Sequence, residues 1–302
     1  MEIHENSDRK EDIFMIRCIA SDMDGTLLNS NQEISQLNRE AISYAKQQGI
    51  EVVIATGRSY EEAHYILEES GIKCPIIAVN GAEIRNEHGE ITQTAGIDGE
   101  VAHEIGKALN QIGIYFEIYT NKGKFTEDYE RSISVIVDIY KTANPEKDIN
   151  EIRSTVEEHF AGGFIQSIQD YGVIFSDSEY IIYKIIVFSK DHELLEKASE
   201  SLKRIEKIKV TSSAQDNLEI NDIHAQKGIA LEAFVKEKGI TLEETMAMGD
   251  NFNDLSMLQK VGHPVAMGNA EQEIKNIIPN HTTSNNEDGV GRAIYQALNV
   301  LK

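Results

Sequence analysis

The stretch Phe14-Met15-Ile16-Arg17-Cys18-Ile19-Ala20-Ser21-Asp22-Met23-Asp24-Gly25-Thr26 decides the fold. Its first half, Phe14 to Ala20, is apolar with almost no alternation, the pattern of a strand buried on both faces in a parallel sheet covered by helices. Such a strand delivers the residues after it to the carboxyl edge of the sheet, where open α/β folds bind ligands. Asp22 and Asp24 arrive there together. Two carboxylates at one spot repel each other and are tolerated when a cation neutralises them, and an all-oxygen setting favours magnesium. Gly25 frees the backbone to turn and Thr26 offers a hydroxyl. Taken alone, the segment also reads as a plain strand ending in an Asp-Gly turn, so its chemistry is weighed with the rest of the chain.

Outward from this strand the pattern repeats. A helical stretch with Leu37, Ile42 and Ala45 on one face reaches Gln48 and is closed by Gly49. Glu51 to Ala55 is a β-branched run ending in Thr56-Gly57-Arg58, a helix spans Tyr60 to Glu69 and stops at Gly71, and Pro75 to Val79 is a third apolar run ending in Asn80-Gly81. Strand and helix in alternation predict a parallel sheet with right-handed crossovers. Beyond Ala82 the alternation stops. Ile84-Arg85 and Ile91-Thr92 flank a hairpin-like Asn86 to Glu90. After it come a helical segment, Val101 to Ile112, and the strand runs Tyr115 to Thr120 and Lys124 to Thr126. Tyr180 to Phe188, Glu193 to Ile205 and Lys209 to Ser212 continue the mixture, which predicts an α+β insert built on antiparallel strands. The crossover pattern returns with a helix from Lys227 to Lys238 and the short strands Thr245 to Met248 and Pro264 to Met267. The expected organisation is therefore a flexible extension, 1–13, a split α/β core of 14–83 and 217–302, and an insert of 84–216.

The chain has 302 residues, enough for a substantial core, and its 29 basic against 51 acidic side chains leave a net charge of −22. That balance argues against a nucleic acid or an anionic membrane as partner. A phosphorylated ligand has to be attracted by a local positive site, because the global field opposes it and is screened beyond roughly 8 Å. Met1 to Asp12 lacks the apolar core of a signal peptide, and the apolar run Ile181 to Phe188 is short and carries Lys184, so the expectation is a soluble, cytoplasmic protein. Cys18 and Cys74 supply neither a disulfide framework nor a cysteine-rich metal site.

Four segments fall at expected strand ends or helix starts: Asp22 with Asp24, Thr56, Lys227, and Asp250 with Asp254. A transferring phosphoryl group spreads negative charge over its equatorial oxygens and needs an in-line nucleophile, cationic stabilisation and hydrogen-bond donors. Carboxylate, magnesium, lysine and threonine supply those parts. The chain resembles the haloacid dehalogenase superfamily, specifically its Cof-type phosphatases with a large α/β cap. The resemblance is carried by Asp22-x-Asp24-Gly25-Thr26-Leu27, Thr56-Gly57-Arg58, Asn80-Gly81-Ala82, Lys227-Gly228, Gly249-Asp250-x-x-Asn253-Asp254, Asn269-Ala270 and Asp288-Gly289-Val290, in family order and nearly from end to end.

The resemblance implies a Rossmann-like core with an inserted cap that selects the substrate, and a phosphatase that hydrolyses small phosphomonoesters such as sugar phosphates or phosphorylated cofactors. It implies that Asp22 attacks phosphorus to give an aspartyl-phosphate. Asp24 protonates the leaving oxygen and then activates water. Thr56 and Lys227 hold the transferring oxygens, with Gly57, Arg58 and Asn253 on the substrate. Mg²⁺ sits on the Asp22 carboxylate, the Asp24 backbone carbonyl and Asp250, while Asn253 and Asp254 organise its surroundings.

Other readings compete. Singly, Thr56-Gly57 is a helix cap, Lys227 a solvated helix-start residue and Gly249 to Asp254 an Asn/Asp-rich turn; jointly they would be several coincidences in one order. An EF-hand needs glycine at its sixth position, where counting from Asp22 finds Leu27. His224 has no cluster of metal-ligating spacing around it. Tyr115, Phe116, Tyr119 and Phe125 read as packing residues of the insert. A phospho-aspartate receiver resembles a compact unit whose acidic pair precedes the phosphoacceptor strand, whereas this chain is longer, carries an insert and has Asp24 beside Asp22. The intact catalytic set weighs against a non-turning sugar-phosphate binding protein, and a phosphomutase would return the phosphate to substrate. The polar segment Asn280-His281-Thr282-Thr283 departs from the family's usual strand and predicts a frayed edge.

Overall fold

Strand β1, Cys18–Ser21, is buried at every position, as its unbroken apolar pattern requires. The computed structural model describes residues 15–143, 146–161, 165–212 and 216–300, so the expected extension 1–13 lies outside the described residues. Next along the chain come Glu51–Ala55 (β2), Ile76–Ala78 (β3), Glu83–Arg85 (β4) and Ile91–Thr94 (β5). Tyr115–Thr120 (β6), Gly123–Thr126 (β7), Gln166–Ser167 (β8), Ile182–Phe188 (β9), Ile208–Thr211 (β10) and Asn217–Asp222 (β11) follow. Thr245–Gly249 (β12) and His263–Ala266 (β13) complete the set. Among the described residues they form a seven-stranded sheet, β13-β12-β1-β2-β3-β4-β5, and a six-stranded one, β10-β11-β9-β6-β7-β8.

β1 runs parallel to both β2 and β12, with Ser21 aligned to Ile54 on one side and to Met248 on the other. β12 runs parallel to β13. This register brings Asp22, Thr56 and Asp250 to the same carboxyl edge, because each is the residue directly after its strand. The chain is an α/β protein whose parallel sheet carries an α+β insert. Beyond β13, Ala266 bridges His281 in a single parallel pair, which is the frayed edge expected from the polar residues there.

Two sheet boundaries differ from the sequence reading. The antiparallel hairpin of β4 and β5 extends the seven-stranded sheet, so that sheet continues to Thr94 and does not end near residue 83. At the other end β11 pairs antiparallel with both β9 and β10, so Asn217 to Asp222 lies in the insert's sheet and not in the core. β5 is exposed throughout and β11 alternates polar residues with apolar ones, so neither announces its partner by a buried run. By compactness the chain divides into two units, Met1–Thr56 with Glu61–Ile76 and Lys227–Lys302, and Gly57–Tyr60 with Ile77–Gln226.

The insert's sheet has two unlike faces, as the two-residue period of a strand dictates. One carries Phe116, Ile118, Ile185 and Ile220 into an apolar cluster with Ile105 and Leu109 of the helix Gly99–Ile112. The opposite face carries Tyr115, Glu117, Tyr119, Lys184 and Glu219, a polar set among aromatics. Phe116, Phe125 and Tyr115 are buried, while the Tyr119 ring lies beneath the ammonium groups of Lys124 and Lys184, 4.8 and 5.1 Å from its centroid. The sequence reading passed over two helices, Tyr129–Ala143 and Ile149–Ala161. Ile133, Val137, Ile152 and Val156 form their shared apolar cluster, at an i, i+4 spacing that was there to be read.

Glu117 is wholly buried. Its Oε1 accepts from Tyr115 and Ser132, each at 2.7 Å, while Oε2 has no hydrogen-bond partner among the described residues. Burial raises its carboxyl above the ordinary glutamate value, against the hydrogen bonds from Ser132 and Tyr115 and the charges of Lys124 and Lys184. A raised folded value means that the favourable, protonated form is full below the ordinary glutamate range and is lost as pH rises through the raised value. Glu117→Gln mimics that form. The variant is expected to melt above the wild type at pH 8, with the difference shrinking towards pH 4; a lower melting temperature at pH 8 would contradict this account of the site.

Among the described residues, no helix is long and apolar enough to cross a membrane.

Candidate active site

After β1 the backbone leaves the sheet at Asp22 (φ −65°, ψ 165°) and turns back on itself through Gly25 at φ 72°. A Cβ on Gly25 would stand 2.3 Å from Asp250 Oδ2. Glycine is therefore required both by the backbone conformation and by the close approach of the acidic loop after β12. Thr26 secures that approach by donating from Oγ1 to Asp250 Oδ1 at 2.9 Å. Asn269 Nδ2 donates to the Gly25 carbonyl at 2.8 Å and its Oδ1 accepts from Asn285 N at 2.9 Å. Thr26 and Asn269 thus hold the loop from two sides, a task that the sequence did not disclose because their partners lie more than 200 residues away.

Lys227 opens the helix Lys227–Glu237 and is fully buried. Its Nζ lies 2.6 Å from Asp22 Oδ1 and 2.7 Å from Asp254 Oδ1. The solvated helix-start alternative for this lysine is therefore set aside. Burial works against its charge, yet the carboxylates of Asp22 and Asp254 outweigh it and hold the ammonium above the ordinary lysine value. Asp254 Oδ2 accepts from the backbone amides of Asp250 and Asn251, each at 3.0 Å. With both oxygens of Asp254 committed, Asp22 and Asp250 are the carboxylates left to meet a ligand.

One ligand atom from each of Asp22, Asp250 and Asp254 falls within 4.8 Å of the others. Burial, then the charge of Asp254, pushes the Asp22 carboxyl well above the usual aspartate range, against Lys227. The same two causes raise Asp250 to about 6, against the Thr26 hydrogen bond and Lys227. Three acidic groups stand against one lysine, and the oxygens of Asp22 and Asp250 fit a hard divalent cation.

Thr56 is fully buried directly after β2, at the same sheet edge as Asp22. Asp24 is exposed in the turn after β1, and its carboxylate is outside the acidic trio. Asn253 is exposed, and its carbonyl accepts from Ser256 Oγ at 3.4 Å, while Ser256 Oγ accepts from Gly228 N at 3.0 Å. That chain ties the acidic loop to the start of the Lys227 helix. Gly57 and Arg58 are half-buried and belong to the second compact unit, where the Arg58 carbonyl accepts from Val79 N at 2.9 Å.

A parallel sheet whose carboxyl edge gathers aspartates around a buried lysine places a charged, ligand-accepting site where open α/β folds bind their ligands. Residues 19–294 match the family model of haloacid dehalogenase-like hydrolases, and the chain belongs to that family. It is 36% identical over 285 residues to phosphatase YwpJ of Bacillus subtilis, covering 94% of this chain and 100% of the relative. It is 37% identical over 284 residues to the 5-amino-6-(5-phospho-D-ribitylamino)uracil phosphatase YwtE of the same organism, covering 94% and 98%. A solved haloacid dehalogenase-like hydrolase from B. subtilis superimposes with a TM-score of 0.78 at 35% identity, over 95% of this chain and 100% of that one. The chain is an enzyme of this family, of the Cof-type phosphatase group that its motifs resemble.

Proposed function

We propose that the enzyme is a magnesium-dependent phosphatase of small phosphorylated metabolites, working through an aspartyl-phosphate on Asp22. The observation that carries this reading is the pairing of Asp22 with the buried Lys227 at the carboxyl edge of β1, at 2.6 Å. The ammonium occupies one carboxylate oxygen and leaves the other to attack phosphorus, which is covalent catalysis by a carboxylate. Asp24, solvent-exposed and two residues on, protonates the leaving oxygen and then takes a proton from the attacking water. Lys227 and the Thr56 hydroxyl meet the equatorial oxygens, where charge grows in the transition state. Gly57, Arg58 and Asn253 bind the substrate around the phosphoryl group.

Asp22, Asp250 and the Asp24 backbone carbonyl would hold the Mg²⁺, with Asn253 and Asp254 steadying them. When bound, the ion neutralises the carboxylates against an incoming phosphate dianion. Asp250→Ala is expected to raise the magnesium concentration needed for half-maximal activity by about 10-fold or more, in line with the cost of losing a metal-site residue. Unchanged magnesium dependence in that variant would remove Asp250 from the site.

The relatives' names point to phosphorylated small metabolites, a ribitylaminouracil phosphate among them, and sugar phosphates or phosphorylated cofactor precursors are the substrate class proposed here. The insert is assigned the choice of leaving group, closing before transfer and reopening to release product. Two buried cysteines left as thiols fit a cytoplasmic setting. Phosphate release across a panel of phosphomonoesters, with and without magnesium, tests the proposal, and a panel without any turnover would refute it.

A further inference from the structure

The motif Asn80-Gly81-Ala82 has no task in the reaction scheme, yet the backbone that enters it is strained. Val79, Asn80 and Gly81 have φ of 48°, 58° and 104° in succession, in the left-handed region that β-branched valine avoids most strongly. Such a conformation persists only where its surroundings hold it, and it concentrates at functional sites. Val79 N donates to the Arg58 carbonyl at 2.9 Å. The Asn80 carboxamide then reaches in two directions. Its Nδ2 donates to Glu219 Oε2 on β11 at 3.3 Å, while its Oδ1 stands 3.2 Å from the place a Cβ on Gly57 would take.

A carboxylate only accepts, so Glu219 fixes which end of the amide faces Gly57. Glu219 is itself fixed. It is 7% exposed, and its Oε1 lies 3.4 Å from the ammonium of Lys184, which is 6% exposed. Neither charge is tolerable at that depth without the other. All of these groups belong to one compact unit, and Gly57 is bonded directly to Thr56.

We infer that Asn80 is a positioning residue for phosphoryl transfer: it sets the Thr56-Gly57-Arg58 turn, and the buried Lys184–Glu219 pair sets Asn80. The inference rests on the reading of Thr56 as a donor to the transferring oxygens. It gives the insert a second task besides selecting the leaving group, since a strand of the insert's sheet holds the geometry of a catalytic hydroxyl.

Asn80→Asp keeps the shape of the side chain but turns the donor facing Glu219 into a second carboxylate. With p-nitrophenyl phosphate, kcat is expected to fall about tenfold or more while KM changes far less, because a displaced hydroxyl is felt chiefly in the transition state. Adding Glu219→Gln to Asn80→Asp restores a donor and an acceptor with their roles exchanged and keeps the cluster at one carboxylate and one lysine. The double variant is expected to recover kcat to within about threefold of wild type, the coupling that residues in direct contact show. Gly57→Ala leaves every polar group in place and presses on Asn80 Oδ1, and a several-fold loss in kcat is expected there too. Wild-type kcat in a folded Asn80→Asp overturns the inference, as does a loss that Glu219→Gln does not relieve. Should Asn80→Asp not fold, unchanged kcat in Gly57→Ala overturns it alone. Turnover by the wild-type enzyme on the same ester tests the functional reading separately.

Discussion

Asp22→Asn is expected to reduce turnover by roughly 10⁴-fold or more, the scale on which loss of a catalytic nucleophile is felt. An amide cannot form the acyl-phosphate anhydride bond that a carboxylate forms, and it brings no charge to a bound cation. The fold should survive. Asp22 is buried beside Asp254 and Asp250, and its raised carboxyl value means that ionisation is costly in the folded state. A neutral side chain of the same shape removes that cost and still accepts from Lys227. The expected melting temperature of the metal-free variant is therefore equal to or above that of the wild type. Steady-state kinetics on a preparation cleared of other phosphatases, together with a thermal melt, checks both parts. Residual turnover above a few per cent would defeat the nucleophile assignment.

Lys227→Met should damage stability and catalysis together, which separates it from Asp22→Asn. The lysine is wholly buried and shared by two carboxylates at 2.6 and 2.7 Å. Removing one partner from a buried ionic cluster leaves uncompensated charge and costs about 3–5 kcal/mol. Here the stranded groups are Asp22 and Asp254, with Asp250 close by. Denaturant unfolding without metal should show that loss, and saturating magnesium should return part of it by supplying the missing positive charge. Activity is expected to fall about 10²–10³-fold even with magnesium, as when one preorganised donor to a developing oxyanion is removed. A variant as stable as the wild type in the absence of metal would show that the lysine does not compensate the cluster.

The shared carboxyl edge was legible because its residues follow buried strands whose patterns are unmistakable. Asp22, Thr56 and Asp250 each come directly after an apolar run, and a parallel register then brings them to one edge whatever the intervening chain does. Lys227 was legible as a motif but not as a buried group, since no local pattern shows that a helix-opening lysine will be enclosed by Asp22 and Asp254. The anchoring roles of Thr26 and Asn269 were hidden for the same reason: a hydrogen bond to a residue over 200 positions away leaves no trace in local spacing. The insert was read least well. Its sheet turns a polar face formed by Glu117, Lys184 and Glu219, and polar residues within strands blur the alternation on which a sequence reading depends. Asn217 to Asp222 gives no strand signal of that kind, and a boundary set at 217 leaves it with the core. The strained Val79-Asn80 backbone was likewise invisible, because valine gives no signal of a left-handed conformation.

The central claim is that the phosphoryl group rests on Asp22 between substrate and water. Asp24→Asn should slow release of that group more than its capture from an ester with a good leaving group, so the intermediate should accumulate. Acid quenching during turnover, borohydride reduction and peptide mass spectrometry then read the side chain at position 22 directly. The account predicts reduction of the acyl-phosphate to a homoserine side chain at that position, dependent on substrate and absent from Asp22→Asn. A full burst of leaving group from an enzyme whose Asp22 is recovered unmodified would contradict it.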